Sequence, residues 1–148
     1  MPEEIATINL TGENCYLIKS LESCLLIDTG YPGKRNFLEK KLNELGCRPG
    51  KLKLVILTHG DVDHVANAAY LREIFGAKIA MHPEDVGMIE RGDMSVNRKA
   101  KPDKMSLVFK VLSSVMSLSV KPCNLAVIKT DLTIDENFTC LNIGSTPE

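Results

Sequence analysis

Residues 51–58, KLKLVILT, are almost continuously apolar past Lys53 and run straight into the polar stretch HGDVDH. A strand of this kind must be covered on both faces, which places it inside a layered α/β structure. The next segments agree. Val65, Ala68, Leu71, Ile74 and Phe75 form the inner face of a helix over about residues 64–75, and Gly76 supplies a left-handed stop. AKIAM at 77–81 is a second buried strand. Strand, helix and strand within roughly thirty residues make a parallel βαβ unit.

Upstream, Ile5–Leu10, Cys15–Lys19 and Ser23–Asp28 read as short strands, with turns at GEN (12–14) and SLE (20–22), so a hairpin or meander is predicted. In YPGKRNFLEKKLNELG the period changes, and Phe37, Leu38, Leu42 and Leu45 share one helical face before Gly46. Downstream, PEDVGMIERG opens a short helix with proline first and acids in its first turn. His82 just before it reads as an N-cap or surface histidine rather than a ligand. Residues 92–104 read as an exposed connection, with Lys99, Lys101 and Lys104 solvated. Met105, Val108, Val111, Leu112, Val115 and Met116 mark an amphipathic helix. It lacks the flanking aromatics and dense basic face of a membrane-surface helix and is expected to pack on the body. LAVIK, DLTID and NFTCLNIG alternate and read as strands of a second sheet. Cys140 sits in the last of these, with no local partner to lower its pKa.

A chain of 148 residues suits one domain, 1–148. With 18 basic and 19 acidic residues the net charge is −1, which points to no nucleic-acid partner. No apolar run approaches the ~20 residues of a membrane span, and the first residues lack the pattern of a signal peptide. Five scattered cysteines fit reduced thiols better than a disulfide framework, so a cytoplasmic location is expected.

The chemistry concentrates in THGDVDH. Two of the chain's three histidines, His59 and His64, bracket Asp61 and Asp63. The loop lies at the carboxyl end of a buried strand, where ligands of open α/β sheets bind. Either aspartate alone would read as a helix N-cap. Neutral imidazoles beside carboxylates are instead the donors a divalent metal takes. Four donors on one loop cannot all reach one ion with good geometry. Two pairs serving neighbouring metals is the more natural arrangement, and it leads to two-metal hydrolysis. LLIDTG alone also resembles the active-site turn of retropepsin-like aspartic proteases, but those are nearly all β, and at least three helical patterns follow Asp28.

THGDVDH resembles the H-x-H-x-D-H signature of the metallo-β-lactamase fold hydrolases. LLIDTGYPG resembles that family's Asp-Thr-Gly turn, and NAAYLREIFGAKIAMHPED the helix and strand after its metal loop. The resemblance covers about residues 5–148. It implies an α/β fold, a four-layer αβ/βα sandwich of two mixed sheets, with a dinuclear site at one edge. It places His59 on one metal and Asp63 and His64 on the other, with Asp63 also orienting water and carrying protons. Asp28 matches a residue that supports the site. The implied activity is attack by metal-bound hydroxide on an ester, thioester, lactam or phosphodiester of a small-molecule substrate.

Two departures shape the expectation. Asp61 stands where most members carry a second histidine. Zinc is the first expectation for the family, and the harder carboxylate of Asp61 shifts weight toward iron or manganese, as in flavodiiron relatives. The family's later ligands, a histidine loop, a bridging aspartate and a last histidine, have no counterpart before Glu148. The chain thus reads as the N-terminal part of a longer domain. On its own it is expected to bind metal poorly, to lack turnover, and to self-associate through an uncovered sheet edge. The alternatives are a non-catalytic chain that binds metal weakly and, third, a diiron redox domain.

Overall fold

The computed structural model describes residues 4–92 and 127–134. Three strands open the chain: β1 (Glu4–Asn9), β2 (Asn14–Lys19) and β3 (Cys24–Ile27). A 3₁₀ turn, Pro32–Lys34, leads into α1 (Arg35–Glu44), then β4 (Leu52–Leu57). A short α2 (Val62–Val65) and α3 (Ala68–Phe75) precede β5 (Lys78–Met81) and α4 (Pro83–Arg91). β6 is Leu132–Thr133.

The strands form one six-stranded mixed sheet in the order β1-β2-β3-β4-β5-β6. The predicted meander is present, since β1–β2 and β2–β3 are antiparallel. From β3 onward neighbours are parallel, and the crossovers carry the helices. Strand register explains the core. Leu17, Leu26, Val55 and Ile79 stand side by side across four strands, each 0% exposed. Leu38 and Leu42 of α1 and Leu71 and Phe75 of α3 pack into the same cluster. Each such side chain contributes about 1.5–3 kcal/mol of burial. On the alternate face Tyr16, Ile27 and Ile56 are aligned, with Tyr16 exposed and the two isoleucines half-buried. Among the described residues no helix is long and apolar enough to cross a membrane, and Cys15, Cys24 and Cys47 are free and buried.

Several expectations need correction. The single helix over 64–75 is two. Asn67 N–H donates to Thr29 Oγ1 (3.1 Å) instead of continuing the helical ladder, which breaks the run between α2 and α3. Ile74 is 43% exposed, because Ala68, Leu71 and Phe75 set the buried stripe and Ile74 falls on its border. Phe37 is also 43% exposed, outside the stripe of Leu38 and Leu42. DLTID joins the first sheet rather than a second one, with β6 parallel to β5. Asp131 docks it: its N–H donates to Ile79 O (2.8 Å), its Oδ2 accepts from Ile79 N (2.9 Å), and its other oxygen pairs with Arg72. Residues 127–129 of LAVIK form no strand. The helix expected over 105–116, the three linker lysines, NFTCLNIG and Cys140 lie outside the described residues.

Candidate metal centre

β3 and β4 are parallel, so their carboxyl ends share one edge. Asp28 follows β3 there and Thr58 follows β4. β2 runs antiparallel to β3, so the β1–β2 turn carrying Glu13 returns to the same edge. The edge therefore collects three loops far apart in sequence.

Asp28 is the hinge of the arrangement. It is 6% exposed and holds φ at 58°, a left-handed conformation uncommon outside glycine and asparagine-like residues. Its Oδ1 accepts from Thr58 N (2.9 Å). Its Oδ2 accepts from Thr58 Oγ1 (2.8 Å) and faces His64 Nδ1 at 2.9 Å. A carboxylate only accepts, so His64 carries its hydrogen on Nδ1 and offers the Nε2 lone pair outward. Asp28 thus lies beside the loop, in contact with both Thr58 and His64.

The two imidazoles lie with centroids 3.9 Å apart, tilted by 48°. One ligand atom each from His59, Asp63 and His64 falls within 4.8 Å of the others. Asp61 is not in that set, but its Oδ2 is 3.7 Å from His59 Nε2. Asp61 occupies the N-cap position of α2, yet its side chain makes no capping bond, so the cap does not account for the carboxylate. His82 is a true cap: its Nδ1 accepts from Glu84 N (3.3 Å) at the start of α4.

The loop is clamped from behind. Thr29 donates through both N and Oγ1 to His64 O (2.8 Å each). Gly60 sits on α4 so closely that a Cβ there would lie 2.6 Å from Met88 Cβ. Four contributors escaped the sequence reading: Glu13, Tyr31, Thr58 and Asn67. For Glu13 a signal existed, because any turn leading into a strand antiparallel to β3 must return to this edge. Burial, then the negative charge of Asp63, raises the Glu13 carboxyl above its ordinary pKa. The charges of Asp63 and Glu13 raise the Tyr31 phenol as well.

The donor set fits a divalent cation. Two imidazoles and neighbouring carboxylates are borderline-to-hard ligands of the kind a divalent ion takes. Glu13 Oε2 is covered and accepts no hydrogen bond, a state that a nearby cation would relieve.

A mixed sheet here presents a His/Asp cluster at the carboxyl edge of its parallel strands, an α/β arrangement with a candidate metal site. The metallo-beta-lactamase superfamily profile matches residues 8–139, and the chain belongs to that superfamily. The chain is 36% identical over 77 residues to "Hydroxyacylglutathione hydrolase GloC" of Haemophilus influenzae, covering 51% of this chain and 34% of that protein. It is 32% identical over 85 residues to "Uncharacterized protein YobT" of Bacillus subtilis, covering 57% and 35%. Among solved structures it matches BJP-1, a subclass B3 metallo-beta-lactamase of Bradyrhizobium japonicum, with a TM-score of 0.67 at 20% identity, over 92% of this chain and 44% of that one. The fold is thus the metallo-beta-lactamase fold, as the motif implied. The matched stretches span about a third of these curated relatives.

Proposed function

We propose that the chain is part of a metal-dependent hydrolase, with His59, Asp63 and His64 as ligands and Asp61 beside His59 as a further donor. The observation that carries this is the convergence of three ligand atoms within 4.8 Å at the carboxyl edge of the sheet. A divalent metal, when bound, supplies Lewis acidity and lowers the pKa of water. The chain's own part is positional. Asp28 aims the His64 Nε2, Thr29 fixes the backbone at His64, and Asp63, 3.5 Å from His64 Nε2, is placed to hold or pass a proton on the substrate side.

The bond cleaved is an ester, thioester, lactam or phosphodiester. Acyl substrates come first, because one relative is named a hydroxyacylglutathione hydrolase and structural neighbours are metallo-beta-lactamases. Zinc is the leading metal, and Asp61 makes iron or manganese the alternatives. Among the described residues three donors cluster, fewer than two metals need, so further ligands complete the centre. The reading favours a longer form that supplies them, with the 148-residue chain binding metal weakly.

The test is metal content and a four-class hydrolysis screen on the purified chain and on a form extended past Glu148. Metal retention with acyl hydrolysis, lost on chelation and on His59→Ala, is expected for the extended form. Absence of both metal and turnover there would overturn the reading.

A further inference from the structure

We propose that Thr58 is a positioning residue that sets the tautomer of His59, relaying the acceptor power of Asp28 to a second imidazole. The proposal rests on the metal-ligand reading only for its purpose, not for its geometry.

Thr58 Oγ1 stands between two partners: Asp28 Oδ2 at 2.8 Å and His59 Nδ1 at 3.0 Å. A hydroxyl owns one hydrogen and has lone pairs to accept with. If that hydrogen pointed at His59, two oxygens would face each other at 2.8 Å with no hydrogen between them. The hydrogen therefore lies on the Asp28 side. The lone pair of Thr58 then meets His59 Nδ1, which must be the protonated nitrogen. His59 is left with its Nε2 lone pair free, on the side where Asp61 Oδ2 lies at 3.7 Å. Asp28 in this way governs both histidines, His64 directly and His59 through one hydroxyl.

The relay has a structural economy. Asp28 is 30 residues from Thr58 and 36 from His64, so one carboxylate after β3 orders both ends of the loop after β4. Its Oδ1 bond to Thr58 N keeps the hydroxyl within reach. Valine keeps the branched shape at this exposed strand end and removes only the hydroxyl, whereas serine keeps the hydroxyl.

The test reads tautomers directly in the metal-free chain, by long-range ¹H–¹⁵N correlation of the imidazoles at alkaline pH. Wild type should show both His59 and His64 protonated at Nδ1. Thr58→Val should move His59 toward the Nε2–H form and leave His64 unchanged, and Thr58→Ser should restore the wild-type pattern. Chelator competition with Zn²⁺ should show affinity falling about 10-fold in Thr58→Val. A wild-type His59 protonated at Nε2 overturns the proposal, even if Thr58→Val fails to fold. A His59 tautomer unchanged in folded Thr58→Val also overturns it. If tautomers shift as expected but Zn²⁺ binds neither this chain nor the form extended past Glu148, the relay stands and the metal reading fails.

Discussion

The Asn67 side-chain amide lies 2.7 Å from the Thr29 carbonyl, and the same nitrogen reaches the carbonyls of Gly30 (3.3 Å) and Tyr31 (2.8 Å). One fully buried amide thereby ties the turn after β3 to the start of α3. Asn67→Ala takes this donor from the buried Thr29 and Gly30 carbonyls, while Tyr31 O keeps Lys34 N–H, and should cost about 1–3 kcal/mol. Asn67→Asp offers no N–H and should cost at least as much. Urea midpoints check this, and an unchanged midpoint in both variants would show that the clamp is idle.

Asp28→Asn keeps the shape and tolerates the left-handed backbone, but it weakens acceptance from His64 and Thr58. Metal affinity should fall about 10–100-fold with the fold retained. Chelator competition beside circular dichroism separates this from unfolding.

Gly60→Ala forces a Cβ to within 2.6 Å of Met88 Cβ and 2.8 Å of its sulfur. The loop or α4 must shift, at about 1–3 kcal/mol. The sulfur can swing away but the Met88 Cβ cannot. Combining the change with Met88→Gly should therefore recover the strain more fully than Met88→Ala, after subtracting each single-variant cost in a double-mutant cycle.

Glu13→Gln should stabilise the metal-free chain at neutral pH. The carboxyl has a folded-state pKa raised above 4.5, by burial first and then by Asp63. A raised acid favours folding only while protonated, so its charged form is a liability once pH climbs through the folded value. The advantage of glutamine should vanish as pH falls below about 4.5. Thermal midpoints of both proteins across that range test the sign.

Asp61→His replaces a hard anionic donor 3.7 Å from His59 Nε2 with an imidazole. Metal content after growth in defined medium should shift from iron or manganese toward zinc. An unchanged profile removes Asp61 from the ligand set.

Much of this architecture is readable from residue order because the signals are periodic. The strands of 5–28, the buried 52–57 run and the caps at Gly46, Gly76 and His82 follow from local pattern alone. THGDVDH and DTG were legible as neighbours because both end parallel strands. Thr58 was not, since a β-branched residue closing a strand looks ordinary until Asp28 and His59 are seen on either side of it. Asn67 hid for the same reason, inside what reads as one continuous helix. Ile74 and Phe37 misled because apolar identity does not say which edge of a helical stripe reaches the core.

The candidate ligands span only six positions, 59–64, whereas their support arrives from Asp28, 36 residues before His64. These two separations belong to different timescales. A short loop closes in about 10–100 ns, while long-range strand pairing is far slower. An ion offered to the unfolding-refolding chain should accordingly be captured in two kinetic phases. The first is fast, weak and set by ion concentration. The second is slow and concentration-independent, and it tightens only when β3 has docked on β4 and brought Asp28 to the loop.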